Sequence, residues 1–423
     1  MKTFQETKLD NGLRVITSPV PSDSITLLVL VGAGSRYETE DINGISHFIE
    51  HMFFKGAKRF KNTKEVSEAI DGVGGVFNAF TGKEYAGYYV KLAKENKKVA
   101  FDVVSDMLIN PTFDPAEIDK ERGVIMEELN MYQDTPMYQI GWDFEKVLFG
   151  NQPMGWDQIG TKQLIKSVTR EQFQDYHRQL YSSDNTVISV AGNIEHQEIL
   201  DLVNQYFQFQ LTEKKRRWAD FEGYEKEKRV IMQAKKTEQA HLCIGFPGYP
   251  TTHPDYFAEK LLSIALGGNM SSRMFLNVRE AQGLCYYINS TIDDYSDCGH
   301  FSTNAGVDVK RIDQAVISIV KEYKELKNSP KIEAAELKKS KSYLYGKLVI
   351  NLEDSQEVAH LIGKQALLGE GIKTLGDLHQ LINAVTLEDI ERVAMDIMDS
   401  SKMKLAYIGP ERSQDSFEKL MTF

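Results

Sequence analysis

The chain is poor in cysteine, with only Cys243, Cys285 and Cys298 among its 423 residues. The number is odd and no two stand in Cys-x-x-Cys spacing. Neither a disulfide framework nor a thiolate metal site is therefore indicated, and a reducing compartment is the simplest setting. Also missing is any apolar run approaching the roughly 18 residues of a membrane-crossing helix. Residues Met1-Lys2-Thr3-Phe4-Gln5-Glu6 carry neither an apolar signal core nor an Arg-rich presequence, so a cytoplasmic location with no membrane partner is expected. There is no basic surplus either: the formal net charge is -11, which argues against general nucleic-acid binding. The one clustered basic run, Lys214-Lys215-Arg216-Arg217, lies between two patterned regions and reads as solvated linker.

What is present is a globular composition, 42% hydrophobic and 26% charged. A chain of 423 residues is too long for one ordinary core and implies two domains. A duplication is visible. The run Ile25-Thr26-Leu27-Leu28-Val29-Leu30-Val31 ends at Gly32-Ala33-Gly34, and a comparable run, Leu242-Cys243-Ile244-Gly245-Phe246, ends at Pro247-Gly248. Thr169 and Thr386 each open a helical stretch that is followed by a strand ending in Gly192 or Gly409, and both spacings are 217 positions. Repeated order at closely matching offsets, 214 from Gly34 to Gly248 and 217 for the other two pairs, predicts two similarly folded halves, 1–211 and 229–423, joined by the polar segment 212–228. Each half mixes β-rich runs with amphipathic helices, so the class is α+β, with two similar αβ domains that each pack a mostly antiparallel sheet with helices.

After Asp41 and Asn43, which can cap a helix, apolar residues recur at helical spacing through Ile45, Phe48, Ile49, Met52 and Phe53 until Gly56. His47 and His51 then stand one turn apart on one face, where two imidazole nitrogens can reach a single zinc ion. Glu50 falls beside them, placed to take a proton from a water on that ion. Two histidines do not complete a catalytic zinc site, which normally takes three protein ligands. Candidates for the third lie in a second helix, where Asp114 fits the N-cap, Pro115 fits N1 and Glu117 fits N3. Along it Ile118, Glu121, Ile125 and Glu128 share one stripe. Carboxylates interleaved with isoleucines on a buried face must each meet a cation, a donor or a metal.

The segments Gly44-Ile45-Ser46-His47-Phe48-Ile49-Glu50-His51-Met52-Phe53-Phe54-Lys55-Gly56 and Glu121-Arg122-Gly123-Val124-Ile125-Met126-Glu127-Glu128-Leu129 resemble the pitrilysin family of inverted-zincin metallopeptidases. Within that family the likeness is to the subfamily of the mitochondrial processing peptidase and its bacterial relatives. It implies one zinc per chain, held by His47, His51 and Glu128, with Glu50 as general base and Glu121 as an outer acid. Glu127 competes for the ligand role, but Glu128 lies on the Ile118 and Ile125 stripe. The run Gly74-Gly75-Val76-Phe77-Asn78-Ala79-Phe80-Thr81 resembles the family's edge strand, where Asn78, Ala79 and Phe80 would bind an extended peptide. Leu266-Gly267-Gly268-Asn269-Met270 resembles its glycine-rich loop, with Asn269 where a further glycine is common.

Arg279 and Tyr286, seven apart, match the pair that holds the substrate carbonyl near the metal in active members. The resemblance implies a chamber of four such domains. Two copies of this chain would close around an unfolded or short polypeptide, and each would lend its Arg279 and Tyr286 to the other's zinc. A scaffold subunit without catalysis is the competing reading, and the full set His47, Glu50, His51 and Glu128 speaks against it.

Overall fold

The computed structural model describes residues 4–209, 211, 217–328 and 332–423. Lys214, Lys215 and Arg216 of the expected linker lie outside the described residues.

Six strands form the first sheet: β1 (Gln5–Lys8), β2 (Arg14–Pro19), β3 (Ser24–Val31), β4 (Val76–Thr81), β5 (Ala86–Ala93) and β6 (Thr186–Gly192), in the order β1-β2-β6-β3-β5-β4. Five form the second: β7 (Val230–Ala234), β8 (Gln239–Gly248), β9 (Cys285–Asp294), β10 (Gly299–Asp308) and β11 (Lys404–Gly409), in the order β7-β11-β8-β10-β9. From β2 onward the two orders are the same pattern. β2 runs parallel to β6, β7 runs parallel to β11, and the other pairs are antiparallel. The class is α+β with two mixed sheets, each packed with helices, and the repeat read from the sequence is a repeat of topology. Thr169 and Thr386 each open their helix with a capping box, answered by Gln172 and Asp389.

The packing is less contiguous than the sequence. One compact unit takes Met1–Leu129, Asp157–Ala219 and Val349–Gly376, and the other takes Asn130–Trp156, Asp220–Leu348 and Asp377–Phe423. In the first, the helix Ser355–Leu368 lies on β2, β3 and β6. In the second, the helix Pro136–Phe149 lies on β7, β8 and β11. Their starts are 219 positions apart, so they are each other's counterparts in the repeat, and each covers the other half's sheet. Sheets covered in this way bury β3 and β6 along nearly their whole lengths, which explains why β3 reads as an unbroken apolar run rather than an alternating one.

Glu259, on the helix Tyr256–Gly267 of the second unit, is 1% exposed. Its Oε2 accepts the Tyr249 amide at 3.1 Å, and its Oε1 has no hydrogen-bond partner. Burial pushes this carboxyl up to about 8, against the pull of that one amide. The folded chain therefore keeps the proton through a pH range in which the unfolded chain has lost it. The resulting stabilisation is complete below the ordinary carboxylate range, shrinks as pH rises, and is spent near pH 8. Urea midpoints should show the wild type losing a few kcal/mol over that interval relative to Glu259→Gln, at about 1.4 kcal/mol per pH unit. Identical pH slopes in the two proteins would contradict this.

Candidate metal centre

The motif helix spans Ile45–Phe53 and buries Ile45, Phe48, Ile49, Met52 and Phe53. Its cap differs from the expectation that Asp41 or Asn43 would serve. The N-cap position is Gly44, at φ +100°, with no side-chain cap of its own. The capping carboxylate comes from outside the helix. Glu38 accepts the Gly44 amide through Oε2 and the Ser46 amide through Oε1, both at 2.8 Å, and the Asn43 side chain at 2.9 Å. Glu38 is 3% exposed, and burial raises its pKa against those bonds. A glycine is required at position 44 because a Cβ there would come within 2.6 Å of the Ile159 carbonyl.

The second helix, Pro115–Asp134, starts as expected, with Asp114 Oδ1 accepting the amides of Ala116 and Glu117. It buries Ile118, Glu121, Ile125 and Leu129, leaves Glu128 partly covered at the rim of that stripe, and exposes Glu127. Glu128 Oε2 lies 3.6 Å from His47 Nε2 and 3.4 Å from His51 Nε2. One ligand atom from each of the three residues fits within a 4.8 Å span. Atoms each about 2.0–2.1 Å from a tetrahedral zinc stand roughly 3.3–3.4 Å apart, whereas good N–H···O bonds close to about 2.7–3.2 Å. The spacing is that of atoms around an ion more than that of direct hydrogen bonds.

The rest of the centre agrees with that donor set. His51 Nδ1 meets Glu121 Oε1 at 2.9 Å, which fixes the ring so that Nε2 faces Glu128. His47 Nδ1 is buried without a hydrogen-bond partner, so Nε2 is that ring's outlet. The two histidines hold the Glu128 carboxyl well below the usual carboxylate range. Burial works against a charged His51, but Glu121 and Glu128 outweigh it and raise the ring to about 9. Burial also works against a charged Glu121, but His51 and Lys55 outweigh it and lower that carboxyl. Two carboxylates drawn towards their charged form beside His51 thus make this a cluster that attracts positive charge.

Glu50 stands outside the trio of His47, His51 and Glu128. Thr81 Oγ1 donates to Glu50 Oε2, and burial raises the Glu50 carboxyl against that bond. Thr81 is the last residue of β4, the outermost strand of its sheet. Along β4 the side chains divide between two faces. Phe77 packs on Phe54 with ring centroids 5.7 Å apart, and Thr81 reaches Glu50, so these residues face the motif helix. Phe80 instead covers Gly87 and lies 5.5 Å from the His360 ring. What Phe80 offers at the free edge is therefore backbone. Asn78 Oδ1 accepts the Ala79 amide at 2.9 Å.

Arg279 and Tyr286 belong to the second unit, whereas His47, Glu50, His51, Glu121 and Glu128 all belong to the first. Arg279 is the penultimate residue of a short π-helical turn, Phe275–Glu280, with its guanidinium 4.6 Å from the Phe275 ring centre. Tyr286 lies on the edge strand β9 and is 60% exposed. Its neighbour Tyr287 covers Gly306 and meets His241 Nδ1 at 3.0 Å, a packing position. Asn269 Oδ1 accepts from both the amide and the hydroxyl of Ser271, which ties down the loop after the helix Tyr256–Gly267. Sequence reasoning did not single out Glu38, Thr81 or Lys55 for a role at this centre. Thr81 stood in the quoted strand, and Lys55 stands four residues after His51, a spacing that could have flagged it.

Fold and centre together define a duplicated αβ protein with a His-His-Glu group that could hold a metal ion. The chain belongs to the M16 (pitrilysin) peptidase family: residues 14–147 match "Insulinase (Peptidase family M16)" and residues 167–344 match "Peptidase M16 inactive domain". It is 36% identical over 407 residues to the uncharacterized zinc protease YmxG of Bacillus subtilis, covering 96% of this chain and 98% of that one. It is 32% identical to an uncharacterized zinc protease of Streptomyces coelicolor, covering 98% and 91%. The crystal structure of a protease from Helicobacter pylori shares the fold, with a TM-score of 0.89 at 24% identity over 97% of this chain and 100% of that one. Among the described residues no helix is long and apolar enough to cross a membrane.

Proposed function

We propose that the chain is a zinc metalloendopeptidase of the processing-peptidase-like, homodimeric kind, acting in the cytoplasm on unfolded or short polypeptides inside a chamber that two copies close. The convergence of His47, His51 and Glu128 carries this reading. Zinc held by those three residues would supply Lewis acidity to a water molecule and to the scissile carbonyl. Glu50 takes the proton of the attacking water and returns it to the leaving amine. The free edge of β4, at Asn78, Ala79 and Phe80, pairs with the substrate backbone as an added strand, a mode that reads main chain more than side chains. Arg279 and Tyr286 of the other copy donate to the carbonyl oxygen as it gains charge, at about 3 kcal/mol per donor.

Metal analysis, light scattering and a peptide digest test the reading together. One zinc per chain, a dimer, and cleavage of unfolded peptides that a chelator stops are the expected results. Zinc-loaded protein that cuts no unfolded peptide would sink the enzymatic reading, and equal cleavage of a folded, loop-free protein would sink the chamber. Thr81 offers a finer test. Thr81→Val should lower kcat about tenfold with KM nearly unchanged, because the base loses its orienting donor while the strand edge keeps its backbone, and Thr81→Ser should restore most of the rate. A change confined to KM would assign Thr81 to binding instead.

A further inference from the structure

We propose that Lys55 is a positioning residue for the metal centre, acting through Glu121 on the ring of His51; this rests on the zinc reading above. Lys55 Nζ lies 2.6 Å from Glu121 Oε2, while Glu121 Oε1 meets His51 Nδ1 at 2.9 Å. Each oxygen of one carboxylate thus has one partner. Glu121 is 3% exposed, and the side chains of Lys55 and His51 are each 22% exposed. The arrangement is shielded from water without being sealed.

The local chain path explains how Lys55 comes to be there. The motif helix ends at Phe53, and the Lys55 amide still donates to the Met52 carbonyl at 3.0 Å. Gly56 follows at φ +142°, where a Cβ would collide with the Lys61 carbonyl, so the chain turns away directly after Lys55. The side chain therefore leaves from the last turn, one helical step beyond His51, and reaches the acid helix at Glu121.

The terminal torsion of a glutamate is broad and nearly two-fold, so a carboxylate held by one partner can swing. A second partner on the other oxygen pins it. With Oε2 anchored by Lys55, Oε1 stays aligned with His51 Nδ1–H. That bond selects the tautomer which presents the Nε2 lone pair to the metal and sets the ring plane. His47 has no such support, because its Nδ1 is buried without a hydrogen-bond partner. The outer support of the histidine pair therefore falls on His51. Without Lys55, Glu121 keeps His51 on Oε1 but has a buried Oε2 with no partner, and the cheapest relief is a rotation of the carboxylate that takes the His51 ring with it.

The test compares the full chain with Lys55→Met and Lys55→Arg. Zinc affinity is read by competition with a chromophoric chelator, and ligand geometry by the absorption spectrum of the cobalt-substituted protein. Lys55→Met should weaken zinc binding about tenfold to a hundredfold and alter the cobalt bands, as loss of an outer-shell partner does. Lys55→Arg should bind zinc close to the wild-type value with wild-type bands. Wild-type affinity in Lys55→Met, or no recovery in Lys55→Arg, would overturn the proposal. Should Lys55→Met fail to fold, Lys55→Leu, which likewise has no donor for Glu121 Oε2, carries the same comparison, and wild-type affinity in it overturns the proposal equally. A wild-type chain that binds no zinc would instead remove the reading on which the proposal rests.

Discussion

Glu50→Gln is expected to reduce kcat/KM on an unfolded peptide by about a thousandfold or more while one zinc per chain still binds. General acid–base groups contribute about a hundredfold to ten-thousandfold, and here one carboxylate is asked to move the proton twice, from the water and then to the leaving amine. The amide has the shape of the carboxylate and still accepts from Thr81 Oγ1, which donates to Glu50 Oε2 in the native chain. Nothing about folding or metal capture should change, because the three atoms that could hold an ion come from His47, His51 and Glu128. Burial already disfavours the charged carboxyl at position 50, so a neutral side chain suits the place. Glu128→Gln should behave in the opposite way and lose the metal with the activity. Steady-state kinetics with metal analysis separates the two variants, and a Glu50→Gln protein keeping a tenth of wild-type activity would remove Glu50 from the chemistry.

Helical periodicity made much of this centre legible. His47 and His51 share a face at i and i+4, and Glu121 and Glu128 stand seven apart along a helix whose cap is local, with Asp114 accepting the amides of Ala116 and Glu117. Local rules of this kind are written in neighbouring residues. Glu38 escaped them because it reaches the motif helix through its side chain from six residues before Gly44, around an intervening turn. Thr81 escaped because its role depends on where a strand end meets a helix face in space. The repeat was legible for a different reason: each half must rebuild the same sheet, so strand ends and capping threonines recur in the same order at nearly the same offset, 214 for Gly34 and Gly248 and 217 for Thr169 and Thr386. An offset shows that two helices are equivalent, but it does not say which sheet each will cover. That choice is made by packing.

The traded helices are the source of the other large expected effect: polypeptides 1–219 and 220–423, produced separately, should each fail to fold, and a folded complex of the two should form when they are co-expressed. The helix Ser355–Leu368 brings Val358, Ala359, Ile362 and Ala366 onto Ile16, Val20, Leu28, Leu30, Val187 and Ala191. Its approach is close. A Cβ on Gly363 would stand 2.6 Å from the Leu30 side chain, and Ser189 Oγ donates to the Ala359 carbonyl at 2.8 Å. In the other unit the helix Pro136–Phe149 sets Ile140, Phe144, Val147 and Leu148 against Cys243, Ala406 and Ile408. Separating the halves strips each sheet of its cover and exposes an apolar face that a margin of about 5–15 kcal/mol cannot sustain. A single cavity measures the same coupling more gently. Ile362→Ala, in the second half of the sequence, should destabilise the first unit by about 2–5 kcal/mol. Hydrogen exchange at the amides of β3 and β6 would report it, since these strands lie under the helix. If 1–219 alone unfolds cooperatively with those amides protected as in the full chain, the exchanged helix is dispensable and the halves are independent domains.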